Sequence, residues 1–220
     1  MNINSKEYWD NRFETDWLDY AGDKQTAFFA TILCDMLPAS LIKEIMTQEY
    51  KVCDMGCALG EGIPIFSRKL GVDVDGMDFS VEAVKHAKNN YPHSNFWVGD
   101  LFDLEAAPKY DVVICSNVLE HFYNPWKILR NLAAVAGKYI IVMVPYHEKL
   151  DIDEHLYNFS EEQIPVQISG FLLDCVKTVD GKELVDSFYP DQQILLIYKK
   201  ENNNMQMLSE LTQGIVDSVN

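Results

Sequence analysis

Residues 52–62 read VCDMGCALGEG, an apolar run closed by an acid that passes straight into a loop with glycines at 56, 60 and 62. The run has the length and composition of a buried strand, and the loop hands the chain on to a helix. Glycine carries no Cβ and takes positive φ readily, so a ligand can lie against bare backbone there. Two phosphate-binding patterns compete for such a turn, and both fail on spacing. The dinucleotide fingerprint counted from Gly56 needs glycines at 58 and 61, where Ala58 and Glu61 stand. The phosphate-cradling loop needs Lys and then Ser or Thr after its last glycine, whereas Gly62 is followed by Ile63 and Pro64.

Outward from this turn, strand and helix patterns alternate. Apolar, β-rich runs lie near 50–54, 72–77, 95–98, 111–115, 139–144, 171–179 and 193–198, with helices between most of the first five. Ser80 reads as the N-cap of a helix to about Asn90, and Asn124 with Pro125 at the first helical position starts another that Gly137 would end. Ser160 and Gln163 form a capping box for a third. Upstream, Phe29, Ile32, Leu33, Met36 and Leu37 recur at helical spacing until Pro38 closes the pattern. Short connections between alternating elements predict an α/β domain, a mostly parallel sheet with helices on both faces. The last two runs are joined through GKELVDSFYPD without a helical pattern, which predicts an antiparallel hairpin. The chain thus reads as one domain with a helical lid over 1–48, a core over 49–200 and an Asn-rich tail over 201–220, an appended helix or a frayed end.

Composition narrows the class. At 220 residues and 48% hydrophobic the chain can bury a core. Lys and Arg number 18 against 34 for Asp and Glu, a formal net charge of -16, so a nucleic-acid backbone is repelled over most of the surface. The basic clusters at Arg68-Lys69 and Lys199-Lys200 are short and read as solvated surface. Cysteines at 34, 53, 57, 115 and 175 sit in mostly apolar surroundings, with no signal-like segment before them and no apolar run of membrane length. Reduced thiols and a cytoplasmic location are expected, without membrane insertion. Cys53 and Cys57 span a strand end without a second cysteine or histidine pair at zinc spacing, so they read as small buried hydrophobes and no metal is expected.

In an open α/β sheet a ligand lies beyond the carboxyl ends of the strands. The second run ends at Asp78 in GMDFS, 24 residues after Asp54, where a carboxylate can accept bonds from both hydroxyls of a ribose. The third ends in GDLFDL, which places Asp100 to accept from an adenine amino group. The fourth leads into CSNVLEHF and puts Asn117, Glu120 and His121 at the rim. Any one of these acids alone is more often a cap or a turn residue.

Taken in order, Asp54-x-Gly56-x-Ala58-x-Gly60, GMDFS, GDL and VLEHF resemble the class I S-adenosylmethionine-dependent methyltransferases, whose first motif is an acid followed at alternate positions by three glycines. Ala58 departs from that pattern, and its methyl narrows the room for the cofactor. The resemblance covers about residues 50–200 and implies a Rossmann-like sheet of seven strands with S-adenosyl-L-methionine as cofactor and S-adenosyl-L-homocysteine as its product. It implies that residues 56–60, with Gly56, Cys57, Ala58 and Gly60, wrap the methionine part while Asp54 supports its amino group. It further implies that Asp78 with Phe79 holds the ribose, that Asp100 with Leu101 frames the adenine, and that Asn117 borders the cofactor.

The preface, EYWDNRFE, is similar to that of small-molecule members of the family from polysaccharide and sugar-modifying systems. Tyr8 and Arg12 are four apart and share a helix face, so Arg12 could meet the cofactor's carboxylate as a planar fork. The alternative is an anchor helix with Tyr8, Trp9 and Phe13 packed on the core.

Methyl transfer from a sulfonium needs an acceptor atom held in line and dehydrated, so positioning supplies most of the rate. A hydroxyl acceptor also benefits from a base, and His121, His147 and His155 follow the fourth and fifth runs. His155 is the preferred catalytic base and His121 the second candidate; the alternative for each is a structural histidine bonded to a backbone carbonyl. The expected reaction methylates an O or N of a small polar acceptor, such as a nucleotide-linked sugar or glycan precursor, with Tyr146, Tyr157 and Phe159 as aromatic walls. An inactive cofactor-binding module, a nicotinamide enzyme, or a protein or nucleic-acid methyltransferase are the competing readings.

Overall fold

The structure is a computed structural model that describes residues 2–149, 151–185 and 187–201. The expected tail beyond residue 201 lies outside the described residues.

The opening run forms strand β1, Val52–Met55, buried along its whole length because parallel neighbours and helices cover it on every side. It pairs in parallel with β2, Val74–Asp78, on one side and with β4, Tyr110–Ser116, on the other. Strand β3, Phe96–Val98, extends the sheet beyond β2, and β5, Ala136–Tyr146, extends it beyond β4. The chain therefore leaves β1 in one direction and returns to fill the other, and a crevice opens at that switch. Three further strands complete the sheet in the order β3-β2-β1-β4-β5-β8-β7-β6: β6 is Gln167–Ile168, β7 Phe171–Asp180 and β8 Gln192–Lys200. The pairings of β8 with β5, β7 with β8 and β6 with β7 are antiparallel, so the expected hairpin forms. Seven runs were expected and the described residues form eight strands; β6 is two residues long, too short to leave a period in the sequence.

Six helices are described: α1 Lys6–Thr15, α2 Gly22–Met36, α3 Ala39–Thr47, α4 Ile63–Leu70, α5 Val81–Asn90 and α6 Pro125–Val135. The expected caps form, with Ser80 accepting from the Ala83 N–H and Asn124 from the Lys127 N–H. Two boundaries differ. Helix α6 runs directly into β5, so Gly137 lies in the strand, where an added Cβ would come within 3.2 Å of the Tyr110 carbonyl beside a register shift. The capping box at Ser160 and Gln163 is present, yet it closes only a 3-10 turn, Glu161–Gln163. Pro165 explains the stop, because it disfavours helical backbone at Ile164.

Alternate residues of the strands feed the two faces. Val52, Val112, Ile114 and Ile141 pack with Leu33, Ile45, Phe66 and Leu70 from α2, α3 and α4. Cys53, Val113, Cys115 and Val142 pack with Ile128, Leu129 and Leu132 from α6. No single helix among the described residues is long and apolar enough to cross a membrane; α2 and α3 reach that length only together, and they are bent by 99° at their junction.

Candidate active site

The turn after β1 is held open by its own backbone. Gly56 and Gly60 take φ of 95° and 90°, and a Cβ on Gly56 would sit 2.5 Å from Val118. The N–H groups of Gly56 and Cys57 both donate to the Met77 carbonyl, at 2.7 and 2.9 Å, which ties the turn to β2. Ala58 also takes left-handed backbone, φ 48°, and donates its N–H to Asp78 Oδ2 at 3.0 Å. A side chain in that conformation costs about 1 kcal/mol, so the middle position of the motif is strained by its departure from glycine.

Beyond the carboxyl ends of β1, β2 and β4 lies a cavity of about 560 Å³, within the range of a ligand site. One end is bordered by Asp54, Gly56, Ala58, Asp78 and Phe79, continuing to Asp100, Leu101 and Asn117. Asp54 and Asp78 are both buried. Burial pushes the Asp54 carboxyl up to about 7, with the charge of Asp78 adding to it. Burial pushes Asp78 up to about 6, against the N–H bonds it accepts from Ser80 and Ala58. A cavity end of bare backbone and two acids held near their titration points is suited to a ligand that brings positive charge and hydroxyl donors. Asp100 accepts from the Phe102 N–H at 2.8 Å, and Asn117, at φ 52°, donates to Gln193 at 3.0 Å.

Cys57 and Gly60, expected to touch the cofactor, do not border the cavity. The Cys57 thiol is buried in the core, so close to β2 that a Cβ on Gly76 would lie 2.8 Å from its sulfur, and Gly60 faces Tyr91 and Phe96. Both shape the turn from behind.

The other end gathers Glu120, His121 and His155, with Arg12 and Glu154 beside them. His121 Nδ1 lies 2.9 Å from the Glu154 carbonyl oxygen, which can only accept. Nδ1 therefore carries the proton and Nε2 keeps its lone pair. Burial lowers the His121 pKa to about 4, and the neighbouring His155 adds to the fall. His155 Nδ1 lies 2.8 Å from both oxygens of Glu148. Burial opposes its protonation, but the Glu148 bond and the charge of Glu120 hold its pKa above the ordinary value. Glu148 in turn accepts from the Tyr189 hydroxyl. Glu120 is 1% exposed, and its Oε2 has no hydrogen-bond partner among the described residues. Its carbonyl accepts the N–H groups of Leu156 and Tyr157, which fastens the segment carrying His155 to the loop after β4.

The preface covers this end as an anchor. The Tyr8 hydroxyl donates to Glu154 Oε1 at 2.5 Å, and Arg12 Nη1 meets the same oxygen at 3.1 Å. Arg12 Nε pairs with Asp16 at 3.0 Å. The fork expected for the cofactor's carboxylate is thus engaged within the chain, and although Arg12 borders the cavity, Tyr8 does not. Trp9, Phe13 and Trp17 stack on one another, and Phe13 packs on Ala58 and Ala83. Asn4 donates to the Glu154 and His121 carbonyls at 2.7 and 3.3 Å.

The expected aromatic walls are elsewhere. Tyr157 and Phe159 pack against Trp126 in the core, Tyr146 bonds Glu161, and His147 pairs with Glu161. Trp9, Phe79, Phe102 and Phe122 border the cavity in their place. Glu148 and Glu154 escaped the sequence reading; the one signal, for Glu154 alone, was its place immediately before His155 in DEHLY.

A parallel sheet reversing at β1, with a glycine turn and acids at successive strand ends, defines a Rossmann-like methyltransferase fold. A family model described as "Methyltransferase domain" matches residues 46–208, and the chain belongs to that family. The fold is similar to that of magnesium protoporphyrin IX methyltransferase (ChlM) from Synechocystis PCC 6803, solved with bound SAH, at TM-score 0.64 and 20% identity over 90% of this chain and 100% of that one. The same enzyme with bound SAM matches at TM-score 0.63. The methyltransferase solved with the Haloferax volcanii Trm112 activator matches at TM-score 0.66 and 15% identity, over 88% of this chain and 98% of that one. A stretch of 85 residues is 32% identical to the ubiquinone biosynthesis O-methyltransferase of Rickettsia akari (strain Hartford), over 37% of this chain and 34% of that protein. The match therefore spans about a third of that relative's length. The chain carries a methyltransferase domain.

Proposed function

We propose that this chain moves a methyl group from S-adenosyl-L-methionine to an oxygen or nitrogen of a small polar acceptor, with a nucleotide-linked sugar or glycan precursor as the acceptor class. The observation that carries the reading is the single cavity with two chemically different ends, paired acids at one and paired histidines at the other. When bound, the cofactor supplies the methyl on a sulfonium, a good leaving group. The chain's residues do the rest. Asp54 meets the ammonium of the methionine part, and Gly56 and Ala58 offer it bare backbone. Asp78 with Phe79 holds the ribose, Asp100 with Leu101 frames the adenine, and Asn117 closes the cofactor's side. Cys57 and Gly60 act indirectly by shaping the turn, and Tyr8 with Arg12 orders Glu154 over the site.

His155 and His121 meet the acceptor through Nε2 and promote loss of its proton as the new bond forms, each aligned by the acceptor on its Nδ1. Support for the sugar class comes from the EYWDNRFE preface and its place beside this end. A phenolic hydroxyl is the second reading, favoured by Trp9, Phe102 and Phe122 on the cavity wall and by the partial match to a ubiquinone O-methyltransferase. Among the described residues the five cysteines form no disulfide, which supports work in a reducing compartment such as the cytoplasm.

Calorimetry with S-adenosylmethionine and with a nicotinamide dinucleotide, followed by a screen of sugar nucleotides and catechols, tests the reading. Affinity for the first alone with turnover on one acceptor class is expected; binding without turnover on any acceptor would recast the chain as a cofactor-binding module. In the His155→Gln variant, turnover should fall while cofactor affinity is kept. Unchanged turnover removes His155 from the chemistry.

A further inference from the structure

We infer that Glu120, His121 and His155 form a binding site for one first-row divalent cation, of the zinc or manganese kind, at the acceptor end of the cavity. One donor atom from each of the three residues lies within 4.8 Å of the others. Donors around a single such ion stand about 3–4 Å apart, given bonds of about 2.0–2.2 Å, so closing on a cation needs only small side-chain rotations.

Three further features point to a cation. Glu120 is buried with Oε2 unpartnered among the described residues, a carboxylate oxygen that lacks the bond its burial demands. Both imidazoles are oriented in the manner of metal ligands. His121 gives its Nδ1–H to the Glu154 carbonyl and His155 turns Nδ1 to the Glu148 carboxylate, so the nitrogen left to each is Nε2. Histidine ligands ordinarily have such an outer acceptor, which fixes the tautomer and raises ligand basicity. The outer layer itself is secured, since Glu148 is bonded by the Tyr189 hydroxyl and Glu154 by Tyr8 and Arg12. Finally, all three residues border the cavity, so the remaining coordination positions face the space where an acceptor would lie. Two imidazoles and one carboxylate with open positions suit first-row divalent ions better than calcium or magnesium, which favour all-oxygen sets.

The site stands on its own donors; its part in methyl transfer rests on the reading of this end as the acceptor's. There the cation would take both Nε2 lone pairs and act as a Lewis acid and a template, replacing the direct base role proposed above for the two histidines. A hydroxyl oxygen seated on it loses its proton to water, forms the bond to the methyl carbon, and the carbon–sulfur electron pair passes to sulfur, which ends neutral. The sequence gives little hint of this, because the donors come from two distant segments and none stands at zinc-finger spacing.

The full chain, stripped with a chelator and dialysed, is titrated calorimetrically with Mn²⁺ alone and with Zn²⁺ alone. One saturable site per chain is expected, weakened about 10–100-fold or more in Glu120→Gln and in His155→Gln, and about tenfold in Glu148→Gln, whose side chain bonds His155 and the Tyr189 hydroxyl and is no ligand itself. Cofactor affinity and the thermal midpoint, measured on each variant, separate loss of a ligand from loss of the fold. No saturable binding of either ion, or binding equal in parent and variants that retain cofactor affinity, overturns the site. Binding with turnover unchanged by the chelator leaves the site and overturns its part in transfer. Failure of the parent to bind S-adenosylmethionine instead overturns the functional reading and leaves the cation measurement standing.

Discussion

The two ends of the cavity are built differently. At the cofactor end each group sits near the carboxyl terminus of its own strand: Asp54 one residue before the end of β1, Asp78 at the end of β2, Asp100 just past β3. At the acceptor end the groups come from the loop after β4, from the segment between β5 and β6, and from α1, held together by bonds such as Tyr8 to Glu154 and His155 to Glu148. The first end is fixed by sheet geometry and the second by side-chain networks. Damage to the first should therefore appear in cofactor affinity, and damage to the second in turnover.

The sharpest test of that division is Asp78→Ala. It removes the carboxylate proposed for the ribose and also strands the N–H groups of Ala58 and Ser80, which now donate to it at 3.0 and 2.9 Å. Charge-assisted bonds of this kind are worth about 1.5–3 kcal/mol each, so cofactor affinity should fall by about 100-fold or more, with a lower thermal midpoint. An affinity within threefold of the parent would show that the carboxylate serves the turn and not the ligand.

This contrast also explains what the sequence disclosed. Strand ends carry local signatures, so GMDFS and GDL could be read without knowing which strands are neighbours. The network around His155 could not, since the chain must fold back between Glu148 and His155 to join them, and Tyr189 reaches Glu148 only after β8 has paired with β5. Tyr8 and Arg12 share a helix face as expected, but Glu154 as their partner was not legible, because helical spacing says nothing about the acid that the 154 segment brings to them. Strand β6 and the shortened helix after Ser160 were lost to length and to one proline respectively.

A smaller effect is expected from pH. Asp54, raised to about 7 by burial and by Asp78, is partly protonated in the free protein near neutrality. A folded-state pKa above the unfolded one means the native state holds the extra proton, so this group's contribution to stability falls as pH rises from about 4 to 7. A cationic ligand prefers the ionised form, so cofactor binding should expel a proton and tighten up to about tenfold between pH 6 and pH 8. Calorimetry in buffers of different ionisation enthalpy counts that proton. In Asp54→Asn the pH dependence should flatten, and a slope that persists would assign the proton to another group.

Smaller still is the expected change on Glu154→Gln, which keeps a bond to Tyr8 but loses the charge facing Arg12. Both partners are partly exposed, at 24% and 21% of their side-chain surface, so the ion pair is worth under about 1 kcal/mol. KM for the acceptor should rise a fewfold with cofactor affinity unchanged, and adding Arg12→Ala should bring little more, since the two act as one unit. An equal loss of cofactor affinity in Arg12→Ala alone would restore the fork to the cofactor's carboxylate.

Ala58 tests the cofactor end most finely, because it is the position where the motif departs from glycine. Its φ of 48° costs about 1 kcal/mol for a residue with a Cβ, and Ala58→Gly would remove that strain. Glycine, however, also frees the unfolded chain, which offsets about 0.4–1 kcal/mol of the gain. The two effects nearly cancel, so the thermal midpoint should stay within about a degree or two of the parent. Ala58 is 8% exposed and packs with Phe13 and Ala83 from α1 and α5, so most of its surface faces protein. Cofactor affinity should accordingly change by less than about threefold, under 1 kcal/mol. A gain of tenfold with an unchanged midpoint would mean that the methyl presses on the ligand, and that the turn at this end is shaped for a looser cofactor fit than its glycines suggest.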